Sequence, residues 1–72
     1  MSNKFAAGNL VRIKLPWYER LMPEWKQKEY RIGDMGEVVN VTPKGKIAVA
    51  QCVVRFADGE EKEYPEPYLE LL

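Results

Sequence analysis

Side chains that could carry out catalysis are few in this 72-residue chain. It contains no histidine, the residue that most often transfers protons at neutral pH. Neither Ser2 nor Thr42 has a neighbouring base that could activate its hydroxyl. Cys52 is the single cysteine, and without histidine it cannot complete a zinc site. We therefore expect a protein that is not an enzyme and that holds no metal and no cofactor.

Three remaining features have plainer explanations than chemistry. Glu60, Glu61 and Glu63 could supply a carboxylate pair, but a charged hairpin edge in solvent is the favoured interpretation. Cys52 falls among the apolar residues of a predicted central strand, which favours a small buried side chain over a redox role. The five glycines are dispersed at predicted turns, so they form no phosphate-binding loop.

Residues 16–35 form a long irregular segment in which Trp and Tyr lie among Arg, Lys and Glu. Such a mixture suits a protein interface, and it also suits base stacking with phosphate contacts. The alternative is that the aromatic rings close one end of the fold as a small additional core. The candidate partner-binding residues are Trp17, Tyr18, Arg20, Trp25, Lys26, Lys28 and Arg31.

The elements that would position this segment are short strands. Val11, Ile13 and Leu15 alternate with basic residues, a period of two that predicts a strand with one buried face. Turn residues separate the predicted strands, which cover 10–15, 37–41, 47–56, 60–64 and 68–71. Pro23 favours a short helix over 23–28. The pattern predicts one all-β domain over 1–72, a small SH3-like, five-stranded, partly open barrel with a long first loop.

Two details of the predicted barrel concern its turns and core. The third strand should direct its alternate residues inward, and Asp58-Gly59 predicts a type I′ hairpin turn with positive φ at both positions. The segment 65–67 should break the fourth strand as a single 3₁₀ turn. The inward set is Ala48, Ala50, Cys52, Val54 and Phe56.

Composition indicates a folded protein: 46% of the residues are apolar and 31% are charged. The sequence shows neither an apolar run of membrane-spanning length nor a signal peptide, so we expect a cytoplasmic protein without a membrane span. The net charge is zero, although residues 1–46 carry +4 and residues 47–72 carry −4. This asymmetry suits an acidic partner or a phosphate backbone, or it is a chance feature of a solvated surface.

Several short motifs follow one another in a recognisable order. They are Phe5, Gly8, Val11-Arg12-Ile13, Gly36-Glu37-Val38, Gly45, Val53-Val54-Arg55-Phe56 and Tyr68-Leu69-Glu70. With Tyr18 and Pro23-Glu24 in the loop, they resemble a family of SH3-like electron-transport accessory domains. This family includes the variable chain of ferredoxin–thioredoxin reductase, a small peripheral photosystem I subunit and the C-terminal domain of the nitrile hydratase beta subunit. The variable chain is most similar in length and spacing. That variable chain has histidines in its loop, which are absent here. It lacks a counterpart of the Asp58-Gly59 hairpin and of the acidic residues that follow it in this sequence.

The resemblance implies a non-catalytic domain that supports a larger redox or photosynthetic enzyme or helps to dock its electron carrier. The expected partner is a protein, namely a catalytic subunit, a ferredoxin-like carrier or a kinase, and the chain would be a monomer or part of a hetero-complex. A small regulator of a signalling kinase is one alternative, and a nucleic-acid-binding barrel is another. The pI near 6.3 disfavours nucleic acid. The loop has no acidic excess, which disfavours proline-peptide binding.

Overall fold

Five short strands and one short helix are present in a computed structural model, which describes residues 5–16, 18–19, 21–42 and 50–72. Strands account for most of the regular structure, so the all-β prediction is confirmed. No helix within these ranges is long and apolar enough to cross a membrane. The elements are β1 (Leu10–Ile13), α1 (Glu24–Glu29), β2 (Met35–Thr42), β3 (Gln51–Phe56), β4 (Glu61–Pro65), a 3₁₀ turn (Glu66–Tyr68) and β5 (Leu69–Leu71).

All strand pairs are antiparallel, and the strand order is β4-β3-β2-β1-β5. The last strand returns to the first one, with Val11 opposite Leu71 on one side and opposite Gly36 on the other. The 3₁₀ turn joins the two outermost strands of the sheet. Five strands that curl in this way form the predicted SH3-like, partly open barrel, with a long loop between β1 and β2.

The core lies on the inner face of this sheet, where alternate strand residues meet. The strand pattern predicted this face correctly: Cys52 and Val54 are fully buried and Phe56 is 3% exposed. Ala50 is also buried, whereas Ala48 lies outside the described residues. Gly36 is placed against β3 so closely that a Cβ atom there would come within 2.6 Å of Val54 Cγ1. The packed residues are Phe5, Val11, Ile13, Met22, Val38, Cys52, Val54, Phe56, Tyr64, Tyr68 and Leu69.

The β3–β4 hairpin differs from the predicted type I′ turn. Among the described residues only Arg31 is a non-glycine residue with positive φ, so Asp58 does not have the required conformation. Gly59 has φ of +92° and donates its N–H to Phe56 O at 2.9 Å, while Phe56 N–H donates to Glu60 O at 2.8 Å. These bonds enclose a three-residue loop ending in glycine. The prediction was wrong because only the last of the three residues needs the left-handed region.

The boundaries of the other elements shift as well, and those of β1 and α1 concern the long loop. β1 ends at Ile13 instead of residue 15, because its N–H donates to Asp34 O at 2.8 Å and its carbonyl accepts Gly33 N–H at 2.7 Å. The end of the long loop thus takes the place of β2 beside Ile13. The helix runs one residue later than predicted, since Pro23 caps α1 from outside.

Candidate partner-binding surface

The long loop between β1 and β2 is attached to the barrel by its own apolar side chains. Met22 is only 7% exposed, and Tyr30 and Ile32 pack against the core from partly buried positions. The Gln27 side-chain amide donates to Met22 O at 2.9 Å and so ties α1 to the chain before it. We call Met22, Gln27, Tyr30 and Ile32, which make these contacts, the packed half of the loop.

Helix α1 has no buried residue, but its residues differ in exposure. Lys26 and Gln27 are partly buried, whereas Trp25 and Lys28, which lie three residues apart on one helix face, are exposed. Trp25 is 67% exposed, and Leu21 just before the helix is 94% exposed. A surface helix normally directs its large apolar residues inward. Here the tryptophan occupies the outer face instead.

We define the α1 surface as Tyr18, Leu21, Trp25 and Lys28. Tyr18 is 53% exposed and precedes the helix in the same loop. Lys28 forms no ion pair with any residue that the structure describes. An indole, an aliphatic side chain, a phenol and an ammonium group together offer apolar area plus a positive charge. That combination is typical of protein interfaces.

The sequence left open whether the loop aromatics form an interface or a small additional core. The structure divides them: Tyr30 is partly buried and packs against the core, while Tyr18 and Trp25 are more than half exposed. Two of the seven predicted contact residues, Trp17 and Arg20, lie outside the described residues. Their roles stay predictions.

The basic members of the predicted set occupy different environments. Lys26 places Nζ 5.8 Å from the centre of the Tyr30 ring, so part of this side chain packs within the loop. Lys28 extends into solvent. Arg31 is surrounded by carboxylates of the same chain, and its role as a partner contact therefore competes with an internal one.

Arg31 directly follows Tyr30, the residue that caps α1, and it adopts a left-handed conformation with φ of +57°. Its N–H donates to Lys28 O at 3.1 Å, and Ile32 N–H donates to Gln27 O at 3.0 Å. This pair of bonds is the Schellman ending of a helix, in which glycine usually occupies the left-handed position. An arginine here has to be held by contacts of its side chain.

Those contacts reach the C-terminal end of the loop and the β3–β4 hairpin. Arg31 Nε lies 2.8 Å from an Asp34 carboxylate oxygen, and Nη1 lies 3.0 Å from oxygens of Asp58 and Glu60. The guanidinium carbon also stands 3.9 Å from the centre of the Phe56 ring. The hydrogen bond to Asp34, followed by those to Asp58 and Glu60, raises the pKa of Arg31. The backbone N–H of Glu60, together with Arg31, lowers the pKa of Asp58.

A second link between loop and hairpin is the Tyr64 hydroxyl, which donates to Tyr30 O. The Tyr64 ring lies 6.4 Å from the rings of Phe56 and Tyr68, and the Tyr30 ring lies 5.8 Å from that of Tyr68. Burial in this aromatic cluster raises the pKa of Tyr64 to about 12. The aromatic cluster thus attaches the loop at Tyr30, and Arg31 attaches the C-terminal end of the loop to the hairpin.

The remaining candidates for chemistry are placed as follows. Glu60 binds Arg31, whereas Glu61 binds Arg55 with atoms 2.6 Å apart, so the two neighbouring carboxylates are engaged by different partners. Within the described ranges no group of three or more histidine, cysteine or acidic side chains could hold a metal ion. Cys52 is a free, buried thiol, and burial raises its pKa.

An open groove on the outer face of the sheet is a second apolar region, with a volume of about 430 Å³. Leu10, Met35 and Leu72 line it and are 57–60% exposed. Sequence reasoning missed this groove. Its only signal was that Leu10 and Met35 stand at outward positions of strands, where polar residues are usual.

Comparisons of the chain with family models, curated proteins and solved structures find no match. The resemblance to SH3-like electron-transport accessory domains therefore rests on the motifs quoted above and stays a prediction.

Proposed function

We propose that this chain is a non-catalytic accessory or adaptor domain that binds a protein partner through the α1 surface. The observation that supports this most directly is the placement of Trp25. It is 67% exposed on a helix in which Lys26 and Gln27 are partly buried. Exposing an indole to water forfeits the free energy that its burial would contribute, and a partner that covers it recovers that free energy.

The way in which this surface is held also favours binding. Met22 lies in the core and Tyr30 packs against it on either side of α1 in the chain, and a Schellman ending closes the helix. A surface that is ordered before the partner arrives loses less conformational entropy when the complex forms. Tryptophan and tyrosine at the centre of such a surface commonly dominate interface energetics.

For the partner, we propose the catalytic subunit of a larger redox or photosynthetic enzyme, or its electron carrier. The family resemblance supports this class, and so does charge. Residues 1–46, which contain the α1 surface, carry a net charge of +4, and Lys28 is available to an acidic partner. A regulator of a signalling kinase is the alternative with the same surface.

Nucleic-acid binding is less well supported by the same observations. Two arginines of the described chain are engaged by carboxylates, Arg31 by three of them and Arg55 by Glu61. Contacts to phosphates need basic side chains that are free to pair with them. The neutral net charge also contrasts with the basic character of most such domains.

The proposal can be tested by affinity capture from a lysate of the source organism with two baits, the wild-type chain and the Leu21→Ser/Trp25→Ser variant. Each bait is used at low and at high salt. We expect the wild-type bait to recover one protein in stoichiometric amount and the variant bait to lose it. Equal recovery by both baits would contradict the α1 surface. Recovery of nucleic acid that falls steeply with salt would replace the proposal by the nucleic-acid alternative.

A further inference from the structure

We propose that Arg31 is a positioning residue that couples the α1 surface to the β3–β4 hairpin. Through it, Asp58 and Glu60 determine how firmly the helix that carries Trp25 is held, without themselves belonging to the contact surface. The consequence for binding rests on the proposed function. The coupling itself is a property of the free chain and can be measured without a partner.

The backbone at Arg31 gives the first reason. A residue with a Cβ atom is disfavoured in the left-handed region, and glycine is the usual occupant of this helix-ending position. The arginine has φ of +57°, so the fold keeps it there at some conformational cost. A position that holds arginine where glycine would be easier indicates that the side chain is needed.

The side-chain partners give the second reason. Asp34 is three residues away and belongs to the same loop, but Asp58 and Glu60 lie 27 and 29 residues further along the chain. Both accept from Nη1, and the guanidinium stacks over Phe56 at the end of β3. A planar guanidinium can donate to such a set of carboxylates from separate nitrogens while its face stacks on an aromatic ring, whereas a lysine has all three donors on one atom and no planar face.

The contacts that attach the loop to the rest of the chain give the third reason. Near its C-terminal end the loop is attached to β1 by the Gly33 N–H and to the core by Ile32. Side-chain hydrogen bonds connect the hairpin to the loop at two places: Tyr64 donates to the carbonyl of Tyr30, and Arg31 donates to the carboxylates of Asp58 and Glu60. Removal of the Arg31 contacts should therefore loosen residues 26–34 while the strand pairing remains.

Two variants remove the coupling from opposite sides. Arg31→Gly deletes the guanidinium and leaves glycine, which accepts the left-handed conformation freely, so the helix ending is preserved. Asp58→Asn/Glu60→Gln removes the carboxylates, and the asparagine oxygen can still accept the Glu60 N–H that Asp58 binds at 3.0 Å. The matched control is Glu61→Gln/Glu63→Gln, which neutralises two carboxylates of the same hairpin that do not contact Arg31.

The measurement is amide hydrogen exchange of Tyr30, Ile32 and Gly33 in the loop, compared with Val38 and Val54 in the sheet. We expect both test variants to exchange at least about tenfold faster at the loop amides, with a smaller change at the sheet amides. The control should match the wild-type chain. Unchanged loop amides would overturn the proposal. Equal acceleration of all five amides would also overturn it, since Arg31 would then act only on global stability.

A binding measurement separates this proposal from the proposed function. If the α1 surface binds the partner, Arg31→Gly and the Asp58→Asn/Glu60→Gln variant should weaken binding severalfold although Trp25 is intact. If Trp25→Ala leaves binding unchanged, the proposed function fails. The exchange experiment still decides whether the hairpin and the loop are coupled.

Discussion

The two halves of the long loop contain similar residue types but face opposite environments. On the packed side, Met22 is 7% exposed and Tyr30 stacks against the aromatic cluster, whereas Leu21 is 94% exposed and Trp25 is 67% exposed. Adjacent residues of comparable size thus differ almost completely in burial. Composition and hydrophobicity therefore do not decide which aromatics stabilise the barrel and which are left for a partner. The position of each residue relative to α1 and to the loop anchors decides it.

Truncation of two adjacent residues should have the largest effect. Met22→Ala should lower the free energy of unfolding by about 2–3 kcal/mol, because it removes buried apolar atoms and leaves a cavity. Leu21→Ala should change it by less than about 0.5 kcal/mol, because solvent already surrounds that side chain. Urea unfolding of both variants measures the difference. Similar losses in the two variants would show that the loop is not divided as described.

A smaller effect on stability is expected at alkaline pH from Tyr64 of β4, whose hydroxyl donates to Tyr30 O in the packed half of the loop. Burial raises the pKa of Tyr64 to about 12, above the value of about 10 for tyrosine in an unfolded chain. The contribution of Tyr64 to stability is therefore complete below pH 10 and is lost as the pH rises toward 12. Melting temperatures between pH 9 and 12 should fall more steeply for the wild-type chain than for Tyr64→Phe. Parallel curves would contradict the burial of this hydroxyl.

The smallest effect on stability is expected at acidic pH, from the contact between Arg31 of the loop and Asp58 of the hairpin. The backbone N–H of Glu60, together with Arg31, lowers the pKa of Asp58 below that of an unfolded carboxyl group, about 3.9. The contribution of Asp58 is thus present above pH 4 and is lost as the pH falls through its lowered pKa. Asp58→Asn should flatten the acidic limb of the stability profile slightly, and salt should reduce the difference. An acidic limb identical to that of the wild-type chain would argue against this contact.

The sequence was sufficient for much of the barrel because strands have strong local signals. Alternation along Val11 and Ile13 and along Cys52, Val54 and Phe56 identified the buried faces. The glycines predicted the positions of the turns. The type of the β3–β4 turn was missed because Asp58-Gly59 fits both a two-residue and a three-residue loop, and hydrogen bonds to Phe56 select the second.

The candidate site was less predictable. In a strand, alternation with a period of two identifies the buried face. A loop with a single short helix follows no comparable rule, and the sequence therefore did not distinguish Met22 from Leu21. Arg31 was predicted as a basic contact because its carboxylate partners at Asp58 and Glu60 are remote in the chain. The groove lined by Leu10 and Met35 depends on how distant strands meet, which no local pattern contains.

One variant and two measurements on the same preparation show whether Trp25 serves binding without contributing to stability. Trp25→Ala should leave the free energy of unfolding within about 0.5 kcal/mol of the wild-type value, because the indole is mostly in solvent. The same variant should weaken binding to the captured partner by at least about tenfold, as expected for a central aromatic contact. A loss of stability of about 2 kcal/mol or more, or binding equal to that of the wild-type chain, would contradict the account.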